Sequence, residues 1–166
     1  MLFRSDRILY TSHGAHRVDV ANIIPPQAPN MLAVQTALAS DHGWCPIKPD
    51  TFESTMVEKV HVIGDACIAD PMPKAASAAV AQAKQCALAL IAAFEGRDAP
   101  PAQFESVCYG MLARGMALSI HGRFRSAGGV ILETPGPKDP GAVAPEQEAQ
   151  NADDWYRNIV AGAFGT

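Results

Sequence analysis

The sequence predicts an α/β chain of α+β character, and three stretches carry that prediction. The first is HVIGDACIADPMPK, residues 61–74, where the short apolar run Val60 to Ile63 halts on Gly64-Asp65 and enters a loop stiffened by Pro71 and Pro73. The second is the alanine-rich segment Ala75 to Phe94, in which Val80, Ala87, Ile91 and Phe94 recur near helical spacing. The third is the pair Ser106 to Tyr109 and Met116 to Arg125, which alternate as strands do and are followed by a turn at Gly128-Gly129.

Taken from the start, Arg7 to Tyr10 and Arg17 to Ile24 read as two strands joined by the turn Ser12-His13-Gly14. Val18 and Val20 alternate with Arg17 and Asp19, and Pro25-Pro26 ends the second strand because proline cannot donate to a ladder. A chain that opens inside a hairpin reads as a piece of something larger. Residues 31–40 are weakly helical, with Asp41-His42-Gly43 as the stop. Pro46 to Thr51 is extended, and Val60 to Ile63 is a strand of the buried type. The helix from Ala75 has Pro73 at its entry and Gly96 at its exit, and its alanines let it lie close to a sheet. Residues 97–103 form a linker. The proline- and glycine-rich stretch 135–149 reads as an exposed arm, and Asp153 to Phe164 as a short helix with Trp155, Ile159 and Val160 on one face.

Composition narrows the function. The 166 residues are 48% hydrophobic and 18% charged, the profile of a globular chain with a sizeable core. A net charge of -4 offers no basic patch for phosphates, which excludes nucleic acid as the expected partner. No apolar run approaches the ~20 residues of a membrane span, and the first residues lack the apolar segment of a signal peptide. Cys45, Cys67, Cys86 and Cys108 show no CxxC pairing, so no metal site is expected, and the five histidines read as surface or satisfied groups.

The Gly64-Asp65 junction has a physical use. Glycine lets a ligand approach the backbone, and the Asp65 carboxylate can accept hydrogen bonds from sugar-like hydroxyls. A helix start downstream offers free N–H groups and a positive dipole end to an electron-rich atom. The pair suits a polyol chain tipped by a ring that becomes anionic. On the dipeptide alone, an ordinary crossover with Asp65 as a helix cap explains as much.

The wider context tips that balance. IIPPQAP, HGWCPIKPDTFES, HVIGDACIADPMPK, the alanine helix, SVCYGML and DWYRNIVAGAFG occur in that order. Together they resemble the C-terminal part of the flavin-binding subunit of flavocytochrome c sulfide dehydrogenase, of the FAD-dependent pyridine nucleotide–disulfide oxidoreductase superfamily. The resemblance runs from about Val18 to Gly165. It implies the end of an NAD-domain-like unit at 1–27, the second half of a Rossmann-like FAD domain at 28–97, and a small C-terminal flavin-covering domain at 98–166.

Carried over residue by residue, Asp65, with Gly64 and Ala66, would meet the FAD ribityl chain. Met72, Pro73 and Lys74 would lie by the pyrimidine edge of the isoalloxazine, and Pro25 and Pro26 would sit in a loop near the ring. Cys108 would be one half of a redox-active disulfide. The family's chemistry has sulfide reduce that disulfide through a persulfide, with electrons passing to FAD and then to haem in a c-type cytochrome subunit. The resemblance thus implies a periplasmic flavoprotein enzyme of electron transport. A structural Cys45–Cys67 disulfide is expected there, with two buried thiols as the open alternative.

The chain departs from the family in several places. It has no GxGxxG, so the turn that holds the FAD pyrophosphate is missing. On its own the chain is therefore expected to bind FAD incompletely, to be inactive, and to self-associate through uncovered apolar surface. The partner of Cys108 and the cysteine that attaches FAD covalently are also missing. The helix opens as Ala75-Ala76-Ser77-Ala78-Ala79, without the family's tyrosine and asparagine. Two other readings remain at this point: a quinone- or NADH-linked flavoprotein of the same superfamily, and a non-catalytic module binding a partner protein through the 135–149 arm and Trp155.

Overall fold

The structure, a computed structural model, describes residues 2–3 (backbone only), 7–24, 27–136 and 143–165. Among the described residues it is an α+β arrangement of three small sheets, three α-helices and a 3-10 turn at Gly64–Ala66. β1 (Leu2–Phe3), β2 (Ile8–Thr11) and β3 (Gly14–Arg17) form an antiparallel sheet in that order. Its β2–β3 turn lies where the sequence places it, but the second strand stops at Arg17. Among the described residues, 18–24 pair with no strand, Val20 and Ile24 are exposed, and no residue of 7–24 is buried. Alternation alone cannot hold a strand that has no neighbour to bond.

α1 (Met31–Gln35) is capped by Asn30, whose Oδ1 accepts from the Leu32 N–H at 2.8 Å. It ends short of the expected 31–40 because Ala37 takes a left-handed φ of 58°. β4 (Cys45–Pro46) pairs in parallel with β5 (Cys67–Ile68), Cys45 opposite Cys67. This corrects the order at the junction: the strand follows Gly64-Asp65 instead of preceding it. Val60 to Ile63 forms no sheet strand. Its backbone bonds go to a neighbouring loop, from the Ser54 N–H to the Val60 carbonyl at 2.7 Å and from the Val62 N–H to the Phe52 carbonyl at 2.9 Å.

α2 (Ala76–Phe94) is the helix the alanines predict. Its buried face is Ala78, Gln82, Gln85, Cys86, Ala89 and Ala92. Val80, Leu88, Ile91 and Phe94 are exposed, so the larger apolar residues that mark the helix in sequence are not the ones it buries. With 19 residues and a window mean hydropathy of 1.4, α2 meets the length and composition of a membrane-crossing helix, contrary to the sequence expectation. Two glutamines on it, Gln82 and Gln85, are buried and bonded to other parts of the chain. The Gln85 amide donates both protons, to the Asp50 and Pro100 carbonyls at 2.9 Å each, which fastens the linker to the helix.

β6 (Gln103–Ala113), β7 (Met116–Ala127) and β8 (Val130–Glu133) form an antiparallel meander with β6 at one edge. α3 (Pro145–Phe164) packs across it, starting on a proline whose missing N–H no helix needs at that position. The helix claims residues 145–149 from the expected arm; residues 137–142 lie outside the described chain. Trp155, Ile159 and Val160 are half-buried on the inner side of α3.

The core centres on Phe52, fully buried and packed edge-on to Phe104 with ring centroids 5.7 Å apart. Phe52 has a φ of 58°, a left-handed conformation costing about 1–3 kcal/mol in a non-glycine residue. Burying the ring offsets that cost by about 1.5–3 kcal/mol. Removing it leaves the strain and a cavity together. Phe52→Ala should therefore lower unfolding stability by about 3–5 kcal/mol in urea melts, whereas Phe94→Ala at an exposed position should stay within about 0.5 kcal/mol.

Candidate cofactor site at the start of the long helix

The loop from Gly64 to Ala75 is held from two sides. Gly64 takes a φ of 70°, which glycine adopts freely, and its N–H donates to the Gln82 Oε1 at 2.7 Å. The Gln82 Nε2 donates to the Met72 sulfur at 3.2 Å, and the Cys67 thiol donates to the Gly64 carbonyl at 3.2 Å. Opposite, the Lys74 ammonium donates to the Asp65 and Cys67 carbonyls and lies 4.0 Å from the centre of the Trp44 ring. Lys74 is thus a clamp on the loop, and Met72, which is buried, is its anchor.

With the loop fixed, the Asp65 carboxylate is exposed and, among the described residues, bonds to nothing in the protein. Gly64, Asp65, Met72, Pro73 and Lys74 line one small cleft, so the structure does bring these five together. Ala66 is half-buried beside it and does not line it. Pro25 and Pro26 lie outside the described residues. No side chain caps α2, since Ala75 sits at its N-cap, so the first-turn N–H groups remain available.

Ser77, in that first turn, joins the helix to the sheet. Its Oγ donates to the Val107 carbonyl at 2.8 Å, accepts from the Val107 N–H at 3.0 Å and meets the Ser106 Oγ at 3.2 Å. One hydroxyl has one proton, so Ser106 must be the donor in the third bond. β6 is an edge strand, and Ser77 satisfies both open backbone groups of Val107.

Cys108 follows immediately. Phe104 and Ser106 on its face of β6 are buried, whereas Cys108 is an exposed free thiol opposite Ile120, itself 63% exposed. The face that forms core at one end of the sheet therefore opens, next to the start of α2, into an uncovered apolar shelf bearing one thiol. Cys86 is buried on α2.

Cys45 and Cys67 are free buried thiols, which corrects the expected disulfide. The Cys67 sulfur is turned toward α2, where the Gly64 carbonyl and the Gln82 Oε1 (3.6 Å) accept its proton. Burial pushes the Cys67 thiol up to about 11 from 9.0, more than nearby Lys74 lowers it, and burial also raises Cys45 and Cys86. Such thiols are inert at neutral pH.

Chemically, an exposed carboxylate can accept from hydroxyls, uncapped helix N–H groups can meet an electron-rich atom, and an apolar shelf with a thiol can lie against a flat ring. Residues 100–164 match the family described as flavocytochrome c sulphide dehydrogenase, flavin-binding. The C-terminal part of this chain, β6 through α3, is thus similar to the flavin-binding domain of that oxidoreductase family. Residues 1–99, which contain the Asp65 loop, lie outside the match.

Sequence reading missed Ser77, Gln82 and Trp44 as the residues that shape this site. Two of them had a signal: each is a polar side chain on an otherwise alanine-rich helix. Ser77→Ala should expose the Val107 N–H, seen as faster hydrogen exchange at that amide, while Ser77→Thr should restore protection; unchanged exchange would contradict the coupling. A second outcome concerns pH. Because the folded chain holds the Cys67 proton more tightly than the unfolded chain, its contribution is full below about pH 9 and is lost as pH rises through about 11. Denaturant melts across that window should show falling stability, with a shallower fall in Cys67→Ala.

Proposed function

We propose that this chain supplies the return half of an FAD-binding unit, at 28–97, and the domain that covers the flavin, at 98–166, in a flavoprotein oxidoreductase that oxidises sulfide. One observation carries the reading: the strand bearing Cys108, within the family-matched segment, is bonded through Ser77 to the first turn of the helix that follows the Asp65 loop. That bonding ties the strand bearing the thiol to the helix that follows the carboxylate.

The residues fit the cofactor's chemistry in part. Asp65 suits the hydroxyls of a ribityl chain. The uncapped N–H groups after Pro73 suit the electron-rich edge of an isoalloxazine, and the shelf of Cys108 and Ile120 suits its flat face. Lys74 and Met72 contribute by holding the loop, since the ammonium is engaged by two carbonyls and the thioether is buried. The pyrophosphate needs a glycine-rich turn that these residues do not provide. FAD, when bound, supplies a two-electron acceptor.

Cys108 is the redox sulfur. In a disulfide with a cysteine outside this sequence, it would be opened by hydrosulfide attack on sulfur, leaving one persulfide and one thiolate. A c-type cytochrome subunit would take the electrons onward, in the periplasm. Uncovered apolar residues such as Phe94 favour self-association of the chain on its own.

The test uses the enzyme carrying this chain together with its dinucleotide-binding half. Cys108→Ser should abolish sulfide-dependent flavin reduction while FAD stays bound. Asp65→Ala should instead weaken FAD binding by about tenfold, the loss of a charge-assisted hydrogen bond. Unchanged turnover in Cys108→Ser would reject the role of the thiol.

A further inference from the structure

On the opposite face of the sheet from Cys108, between α2, β6–β7 and α3, lies a cleft of about 540 Å³. Val107 and His121 are register partners, as are Glu105 and Arg123, so one face of the sheet forms the floor. The size is that of a small-molecule site, for which about 300–1,000 Å³ is usual.

The charges in the cleft do not balance. Arg123 is neutralised by Glu105 at 3.1 Å, while Lys84 on α2 has no carboxylate partner among the described residues. The lining therefore presents one unmatched positive charge. An anion would match it.

A buried relay orients the histidine. Glu148 on α3 is only 6% exposed, and its Oε1 accepts from the Ser119 hydroxyl at 2.7 Å. Ser119 has then given away its one proton, so at 3.0 Å from the His121 Nε2 it acts as acceptor. In neutral His121 the N–H is therefore on Nε2, and Nδ1 keeps a lone pair on a ring that borders the cleft. That nitrogen asks for a donor. Trp155, held at 6.1 Å from Tyr109, and Ile159 form an apolar wall against which a ring can lie.

We propose that this cleft binds a small planar organic anion that also carries a hydroxyl or N–H donor. Its ring lies on Trp155 and Ile159, its anionic group meets Lys84, and its donor meets the Nδ1 of His121. The site is separate from the flavin site and does not depend on that reading.

Isotope-labelled chain titrated with para-hydroxybenzoate tests it by nuclear magnetic resonance. The Trp155 indole and Gly122 amide signals should shift saturably. Benzyl alcohol, which has the ring without the anion, should bind about tenfold more weakly, and Lys84→Gln should weaken para-hydroxybenzoate by a similar factor. Lys84 is exposed, so this variant keeps its fold. Benzoate, without the donor, should bind less well than para-hydroxybenzoate, and His121→Ala should close that gap. No saturable shift at Trp155, or equal affinity in Lys84→Gln, would overturn the proposal.

Discussion

The side-chain amide of Gln82 is the constraint on which the Asp65 side of the site depends. It is 3% exposed, in the second turn of α2, and reaches Gly64, Cys67 and Met72 at once. A buried amide left unmatched costs about 1–3 kcal/mol, so the helix and the loop can only pack with these bonds made. Gly64 meets the helix through its N–H, and its left-handed φ turns Asp65 outward. The polar group in the helix thereby helps fix where the Asp65 carboxylate sits. Lys74 closes the other side, stacked on Trp44, so the loop owes its shape to two side chains and needs little regular structure of its own.

Ser77 extends that order to the C-terminal domain. An edge strand presents unmatched N–H and C=O groups that invite pairing with other chains. Here the groups of Val107 are closed by a helix hydroxyl, which ends the exposed edge locally and sets the register of β6 against α2. The same contact separates two environments. On one face lies the Cys108 shelf and on the other the cleft with Lys84 and His121. A displacement of β6 along α2 would alter both, so the two faces share one mechanical support.

The helix α2 shows how packing and hydropathy can part company. Small residues and two amides form its buried stripe, because alanine allows close approach to the Phe52–Phe104 core and the amides bond the loops. The large apolar residues stay outside, Phe94 among them at 89% exposure. Surface of that kind is the sort that partners cover.

The sequence by itself determined the helix at 76–94, the first two strands of the meander after the linker, the turns at Gly14 and Gly128-Gly129, and the resemblance that the family match at 100–164 supports. These rest on local spacing, on glycine and proline, and on motif order, all of which a single chain displays. Tertiary structure alone decided the rest. It moved the junction strand to Cys67–Ile68, because Cys45–Pro46 offered a parallel partner there and Val60 to Ile63 had only a loop to bond. It kept Cys45 and Cys67 as thiols, since a sulfur directed at a helix amide is not directed at its ladder neighbour. It made Lys74 and Met72 supports of the site, and it chose which face of α2 to bury. Each of these depends on contacts between residues far apart in the chain, and spacing along one sequence does not encode which of several possible neighbours will arrive.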